Sequence, residues 1–378
     1  MRVENNSGAI TMEKLYEDRF SRVKSEMVAR GLDGLLVTDQ YSIWYLSGIW
    51  NEPYERMYVL YVSRDGAVKL FVNKLFNIPA NDFENFWYSD TDDYVGLLAS
   101  QIGDSPVGKS GCFTVGVDKT WAARFLIPLM EKKPGLRFVL GSDCVDNCRA
   151  CKDAKEIELM KEASRINDVV IEKAMAFVHE GVTEREVAEY IDQQFKAEGA
   201  EGASFETIVS FGANAADPHH EPDDTVVQPG DCVLIDMGCR KDHYVSDMTR
   251  TSFYKKADDE YAKIHDIVRL ANEKAELIVK PGVPLFEIDA AARNLISEAG
   301  YGQYFTHRLG HFCGQTDHEQ GDVSSANHNV AKEGMIFSIE PGIYLPGKFG
   351  VRVEDLVLVT KDGCQPLNHV DKHWKVLK

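Results

Sequence analysis

Two pairs of acids, Asp236 with Asp247 and Glu340 with Glu354, sit in apolar runs that read as β-hairpins. The first run, Val233-Leu234-Ile235-Asp236-Met237, turns through Arg240-Lys241-Asp242-His243 and returns as Tyr244-Val245-Ser246-Asp247. A turn centred between Lys241 and Asp242 makes Asp236 and Asp247 cross-strand neighbours, their Cβ atoms roughly 5 Å apart. The second run, Met335 to Glu340, is followed by a turn-rich stretch around Pro346-Gly347-Lys348 and then by Gly350-Val351-Arg352-Val353-Glu354. Symmetry about Gly347 sets Glu340 opposite Glu354. Like charges facing each other destabilise a sheet, so four acids among Val, Ile, Leu and Phe require protons or a cation between them.

A histidine completes the set in His307-Arg308-Leu309-Gly310-His311, where a glycine-containing turn presents an imidazole to the acids. Four carboxylates and one neutral imidazole balance two divalent cations. Oxygen-rich coordination with a single nitrogen favours manganese, cobalt or iron, and zinc also suits it. Two such ions bridged by carboxylates turn water into a nucleophile near neutral pH, and the natural consequence is hydrolysis. A single strand acid is usually a solvated or ion-paired residue, but salt bridges do not explain several unpaired acids inside apolar strands.

The elements that must position these residues fill a chain of 378 residues, long enough for two domains, with 44% hydrophobic residues to build their cores. The formal charge of −18 argues against nucleic acid and anionic membrane as partners. No apolar run reaches the length of a membrane span, and the opening Met1-Arg2-Val3-Glu4 lacks the apolar core of a signal peptide, so a cytoplasmic protein is expected. Eight scattered cysteines read as free thiols rather than a disulfide framework. Cys144, Cys148 and Cys151 lack a fourth nearby ligand for a structural zinc site.

Residues 1–11 read as a flexible polar tail. An N-terminal α/β domain is expected over 12–150, opening with a helix on Tyr16, Phe20, Val23 and Met27 and continuing through short strands at 34–38, 57–62, 68–72 and 113–117. Phe83, Phe86, Trp87 and Tyr88 read as core. A second domain, 151–378, begins with a long charge-rich helix from about Asp153 and carries a faint repeat. Gly181-Val182-Thr183 and Gly282-Val283-Pro284 open two helical segments that close at Gly199 and Gly300, and each leads on to an acid-bearing hairpin. Thr183 with Glu186 spells a capping box, and Pro284 suits a first helical position. Two matched halves would bring all four carboxylates together at a pseudo-twofold axis.

The motifs Ile235-Asp236-Met237-Gly238, Ser246-Asp247-Met248-Thr249-Arg250-Thr251, His307 to His311, His318-Glu319, Glu340-Pro341-Gly342-Ile343-Tyr344 and Gly350-Val351-Arg352-Val353-Glu354-Asp355 resemble those of the pita-bread metallopeptidases. That family includes Xaa-Pro dipeptidase (prolidase), aminopeptidase P and methionine aminopeptidase. The motifs occur in the family's order, and the first domain looks like the one that precedes the catalytic domain in prolidase, aminopeptidase P and creatinase. The resemblance implies a creatinase-like α/β N-terminal domain followed by a pita-bread α+β catalytic domain. It implies that Asp236 holds one metal, that Asp247 and Glu354 bridge both, and that His311 and Glu340 hold the other. Glu340 would also accept the proton of the attacking water. His219, in Asp217-Pro218-His219-His220, matches the histidine that contacts the substrate or its leaving nitrogen, and His318 matches the one that polarises the scissile carbonyl or steadies the oxyanion. Arg352, on the strand face of Glu354, would order acid and substrate; its bland alternative is an ion pair with Asp355 or Glu354. Arg308, His243 and His328 read as surface or turn residues.

The activity implied is release of an N-terminal residue from proline in Xaa-Pro dipeptides, with cleavage of longer peptides, as by aminopeptidase P, the nearest rival. Metal-free creatinase-like amidinohydrolysis and an inactive peptide-binding module are the other rivals; both fit poorly with an intact ligand set. Gln320-Gly321-Asp322 stands where many prolidases carry prolines, which loosens the substrate assignment and leaves the ligands untouched. A homodimer is implied, in which Trp50, Tyr54 or Arg56 of one subunit would wall the site of the other.

Overall fold

In this computed structural model the described residues are 12–103 and 112–378; the expected tail, 1–11, lies outside them. The chain divides into two compact units, 1–149 and 150–378.

The first unit is a six-stranded mixed sheet flanked by helices. Its elements are α1 (Met12–Ala29), β1 (Gly34–Val37), α2 (Gln40–Ser47), β2 (Val59–Ser63), β3 (Val68–Asn73), β4 (Glu84–Tyr88), α3 (Tyr94–Gln101), β5 (Thr114–Val117), α4 (Ala123–Lys132), β6 (Arg137–Leu140) and α5 (Asp143–Ala150). The strand order is β4-β3-β2-β1-β5-β6, antiparallel through β1-β2-β3 and parallel elsewhere. Alternation along the central strands feeds a core on each face. Leu35, Val37 and Leu60 pack with α1 and α2, while Leu36, Tyr61 and Phe71 pack with α3 and α4. Of the expected aromatic group, Tyr88 is core whereas Trp87 is 41% exposed. Cys144 and Cys148 pack among the buried apolar residues.

The second unit repeats one motif twice. Helices α6 (Ala154–Phe177) and α7 (Glu184–Ala197) are followed by β7 (Gly202–Ala203), β8 (Ile208–Phe211), β9 (Cys232–Met237), β10 (Cys239–Lys241), β11 (Tyr244–Val245) and β12 (Met248–Tyr254). Then α8 (Asp259–Ile278) and α9 (Leu285–Glu298) are followed by β13 (Gly310–Phe312), β14 (Glu319–Val323), β15 (Ile336–Ile339), β16 (Gly342–Leu345), β17 (Phe349–Arg352), β18 (Asp355–Val359), β19 (Cys364–Pro366) and β20 (Val376–Leu377). The three-strand core β8-β9-β12 of one sheet has its counterpart in β13-β15-β18 of the other. Both helix pairs turn at glycines in the left-handed region, Gly181 (φ 84°) and Gly282 (φ 89°). Thr183 forms the expected capping box with Glu186. Pro284 is the N-cap rather than the first helical residue; extended at φ −61°, ψ 138°, it precedes a helix that starts at Leu285.

Apolar stripes fix each helix pair to its sheet. Ile166, Val170, Val187, Ile191 and Phe195 pack on Val233, Ile235 and Met237 in the first half, and Ile264, Val268, Ile288 and Ile296 belong with Phe337, Ile339 and Val357 in the second. No helix among the described residues is long and apolar enough to cross a membrane.

Candidate metal centre

The acid pairs sit where the paired strands of each half break off. In the second half the expected register holds. Ile339 pairs with Asp355 in β15–β18 and Gly342 with Arg352 in β16–β17, which leaves Glu340 and Glu354 facing each other at the junction of the two ladders.

In the first half the register differs. The turn residues are Asp242 and His243, at φ 48° and 69°, so Lys241 pairs with Tyr244 and Asp236 with Thr249 rather than with Asp247. Positive φ at both central positions is the mark of a type I′ turn, and Asp and His tolerate it far better than Lys. The shift also buries Tyr244, whose hydroxyl donates to Glu156 Oε1 at 2.9 Å. Asp247 lies in the break between β11 and β12. That break depends on Gly238, where a Cβ would come within 2.0 Å of the Ser246 carbonyl oxygen.

The two halves bring the five candidate ligands together. Ligand atoms of Asp236, Asp247 and Glu354 lie within 4.8 Å of one another, and so do those of His311, Glu340 and Glu354. His311 Nε2 is 3.4 Å from Glu340 Oε1 and 3.6 Å from Asp247 Oδ2. Asp236, Asp247, His311 and Glu354 are all less than 10% exposed. Asp236 Oδ1 and Glu354 Oε1, both buried, meet no hydrogen-bond donor among the described residues. Two orphaned carboxylate oxygens in a carboxylate-rich cluster with one imidazole fit hard or borderline divalent cations.

Electrostatics point the same way. Burial, reinforced by neighbouring acids, pushes the Asp247 and Glu354 carboxyls well above their usual range, and burial pushes Glu340 up to about 8. Burial, then the adjacent His318 and Arg308, holds His311 well below its usual value, so its ring is neutral and able to ligate.

Several groups hold the ligands in place. Arg352 Nη2 donates to Asp236 Oδ2 at 2.6 Å, so its ion-pair partner is Asp236; Asp355 instead pairs with Arg250 at 2.7 Å. Arg352 Nε donates to Thr249 Oγ1 (3.0 Å), which donates in turn to Glu354 Oε2 (2.7 Å), linking the two halves through one hydroxyl. Burial works against the Arg352 charge, but Tyr344 and the nearby carboxylates outweigh it and keep the guanidinium protonated. Asn167 donates to the Met237 carbonyl and Asn272 to the Ile339 carbonyl, at 2.9 and 2.8 Å, so each half has a buried asparagine steadying the backbone beside its acid.

His311 is placed by Gly310, where a Cβ would come within 1.8 Å of the Ser338 carbonyl oxygen, and by Ser338 Oγ, which accepts from its backbone N–H at 3.0 Å. On the far side of the ring, Cys313 Sγ lies 3.3 Å from Nδ1 and 2.8 Å from the Asp317 carbonyl oxygen. The carbonyl can only accept, so the thiol proton points to it and the sulfur accepts Nδ1–H. That leaves the Nε2 lone pair facing the acids. None of Thr249, Asn167, Asn272 and Cys313 carried a signal by residue type, since each works only through tertiary contact.

The acids open into a cavity of about 340 Å³ lined also by Phe205, Ile208, His219, Arg308 and His318. His219 and His318 are exposed on its walls. The His318 ring lies against His311, tilted by 41° with centroids 3.9 Å apart, and its Nδ1 accepts from Arg308 Nη2 at 3.4 Å. Arg308 is therefore part of the cavity and not a surface residue. His307 and Tyr344 form a further support: Arg352 Nη1 donates to the Tyr344 hydroxyl, which lies 2.9 Å from His307 Nε2.

Comparison with known proteins identifies the class. Residues 158–361 match the model of metallopeptidase family M24, and residues 19–151 match the creatinase/prolidase N-terminal domain. An uncharacterized peptidase of Staphylococcus aureus is 37% identical over 358 residues, covering 94% of this chain and 99% of that relative. The solved dipeptidase PepE of Mycobacterium ulcerans aligns with a TM-score of 0.91 at 32% identity, over 98% of this chain and 100% of its own. The prolidase of Pyrococcus furiosus aligns at 0.81 and 31%, over 92% and 99% respectively. Xaa-Pro dipeptidases and X-Pro aminopeptidases are among the other solved structures of the same fold. With its two-domain architecture and convergent acids, the chain belongs to metallopeptidase family M24.

Proposed function

We propose that this peptidase hydrolyses Xaa-Pro dipeptides with two divalent cations held by Asp236, Asp247, His311, Glu340 and Glu354, Asp247 and Glu354 being shared between them. The observation that carries the reading is the pair of overlapping ligand triads with two orphaned buried carboxylate oxygens. When bound, such ions activate water and polarise the scissile carbonyl. Manganese or cobalt suits the donor set best, with iron and zinc also compatible.

The chain's own residues do the rest. Glu340, on the cavity side of the cluster, is the proton acceptor. His318, whose proton affinity is lowered by its partly desolvated place on the cavity wall, presents an imidazole N–H to the carbonyl oxygen as it gains charge. His219, also on the cavity wall, contacts the substrate at its departing nitrogen. Arg352 holds Asp236 and, through Thr249, Glu354, so the acids keep their spacing during turnover. Phe205, Ile208 and Pro218 offer an apolar wall to a pyrrolidine ring. Arg308 has no carboxylate partner among the described residues, and its charge suits the terminal carboxylate of a dipeptide. The dipeptidase and prolidase descriptions of similar structures support the same substrate.

The reading extends to a cytoplasmic homodimer, testable by sedimentation. Tyr54 is 73% exposed, whereas Arg56 is paired with Asp90 at 2.9 Å. Hydrolysis of Ala-Pro and Ala-Pro-Ala by chelator-stripped protein, with and without manganese or cobalt, tests the activity. Metal-dependent cleavage of the dipeptide alone is expected. Cleavage of the tripeptide would move the reading to an aminopeptidase P, and no turnover of either with any metal would refute proline specificity.

A further inference from the structure

Beside the carboxylate cradle lies a second convergence of ligand-type atoms: Glu184, His220 and Asp223, within 4.8 Å of one another. It is a hydrogen-bond hub, not a metal site. Glu184, fully buried in the first turn of α7, has every lone-pair direction occupied. Its Oε1 accepts from the Phe211 N–H at 2.7 Å and from Asn214 Nδ2 at 3.0 Å. Its Oε2 accepts from the Asp223 N–H at 3.2 Å and meets His220 Nε2 at 2.8 Å. One carboxylate thus ties down four points of the segment from 211 to 223.

That segment carries His219, the residue before His220, onto the cavity wall. From the other side, Arg352 Nη1 donates to the Pro218 carbonyl at 3.4 Å. His219 is exposed, and its own backbone N–H bonds only within the loop, to Asp217 Oδ1 at 3.0 Å. The position of its ring is therefore set by its two neighbours: Pro218, held by Arg352, and His220, held by Glu184.

We propose that His220 is a positioning residue which, through Glu184, fixes where the His219 imidazole meets the substrate; the inference rests on the reading of His219 given above. A ring displaced by about 1 Å loses on the order of 10- to 100-fold in rate, because the reacting geometry is so narrow. The side chain of His220 is 17% exposed and that of Glu184 0%, so the link is shielded from competing water.

The test is a double-mutant cycle on the manganese-loaded full chain with Ala-Pro as substrate: wild type, His219→Ala, His220→Leu and the double variant, with His220→Gln as the conservative change. His220→Leu should lower kcat/KM by roughly 10- to 100-fold at unchanged metal content. His220→Gln, which keeps a donor for Glu184, should recover most of that. In the His219→Ala background His220→Leu should have no further effect, because no ring remains to be placed. A merely structural role would instead multiply the two losses and lower thermal stability in parallel. Multiplicative losses, or wild-type kinetics in His220→Leu, would overturn the inference alone. Full activity in His219→Ala would overturn the role of His219 and this inference with it. If His220→Leu does not fold, His220→Ala, which also removes the donor, carries the same cycle with the same readings.

Discussion

Glu340 makes the link between metal and stability measurable without any substrate. In the metal-free protein its carboxyl keeps a proton up to about pH 8, against a usual value of 4.5, because burial disfavours its charge. Between those values the folded state binds more protons than the unfolded one, so stability falls as pH rises. Asp247 and Glu354 act in the same direction. The buried His311 and His307 act the other way, since each stays neutral in the fold while the unfolded ring titrates near 6.5. Their contribution is complete above that pH, which leaves pH 6.5 to 8 as the window for the carboxyls. At roughly 1.4 kcal/mol per pH unit, and with Glu340 itself half-ionised at the upper end, its share of the loss there is on the order of 2 kcal/mol.

The assay is urea unfolding by far-UV circular dichroism of chelator-stripped wild type and Glu340→Gln at several pH values. The N-terminal unit is the same in both proteins and cancels in the difference. The stability of wild type relative to Glu340→Gln should fall by that amount from pH 6.5 to 8, and saturating manganese should reverse the trend, because the ion takes the place of the proton. A flat difference across the window would refute the argument that burial holds this carboxyl protonated. An unchanged slope with manganese would refute Glu340 as a ligand.

Two other substitutions probe the cradle. Asp247→Ala removes a shared ligand and a buried carboxyl whose charge is unfavourable in the metal-free fold, so the metal-free variant should unfold at pH 8 no more easily than wild type. Yet it should show neither manganese binding by calorimetry nor turnover, and full activity would sink the two-metal mechanism. Cys313→Val keeps the shape but removes the acceptor for His311 Nδ1–H; by the usual weight of such outer contacts it should weaken manganese binding by roughly 10- to 100-fold in a chelator competition. Unchanged affinity would mean that the thiol does not set the tautomer of His311.

The candidate ligands were legible in the sequence because like charges in apolar strands are conspicuous, and because Gly347 centres its hairpin. The first hairpin misled by one position, since its register depends on which residues tolerate positive φ, and Asp242-His243 does so better than Lys241-Asp242. Arg352 was recognised, but its partner was not. The strand face suggested Glu354 or Asp355, whereas the guanidinium reaches Asp236 in the other half of the unit. By sequence Arg308 reads as a surface residue, because a charge in a turn usually is one; in the fold it lines the cavity. Short elements such as α2 and β4 carry too few residues for a periodic signal.

The internal repeat explains why the acids come in pairs, and its imperfection explains what the site can do. In each half one acid lies at the end of a central strand, β9 or β15, and the other just before the strand paired with it, β12 or β18; a buried asparagine from α6 or α8 pins the backbone beside the first acid. Together the two units present four carboxylates, Glu340 opposite Glu354 and Asp236 offset from Asp247, a cradle suited to cations but with no preferred side for a peptide. The symmetry breaks at the outer strands. Beside β15, β13 supplies His311, next to Ser338; beside β9, β8 supplies Ile208, paired with Asp236, to the cavity wall. On the proposed reading, one half would bring nitrogen to the cations while the other would bring apolar surface to the substrate. The loop after β8, anchored on Glu184, adds His219 to the apolar side, and the segment after β13 adds His318 to the nitrogen side. A directional substrate needs such an asymmetry, because its amino end and its proline end must meet different chemistry. Because the acids lie on the central strands and just before their partners, the outer strands can carry this asymmetry without displacing them.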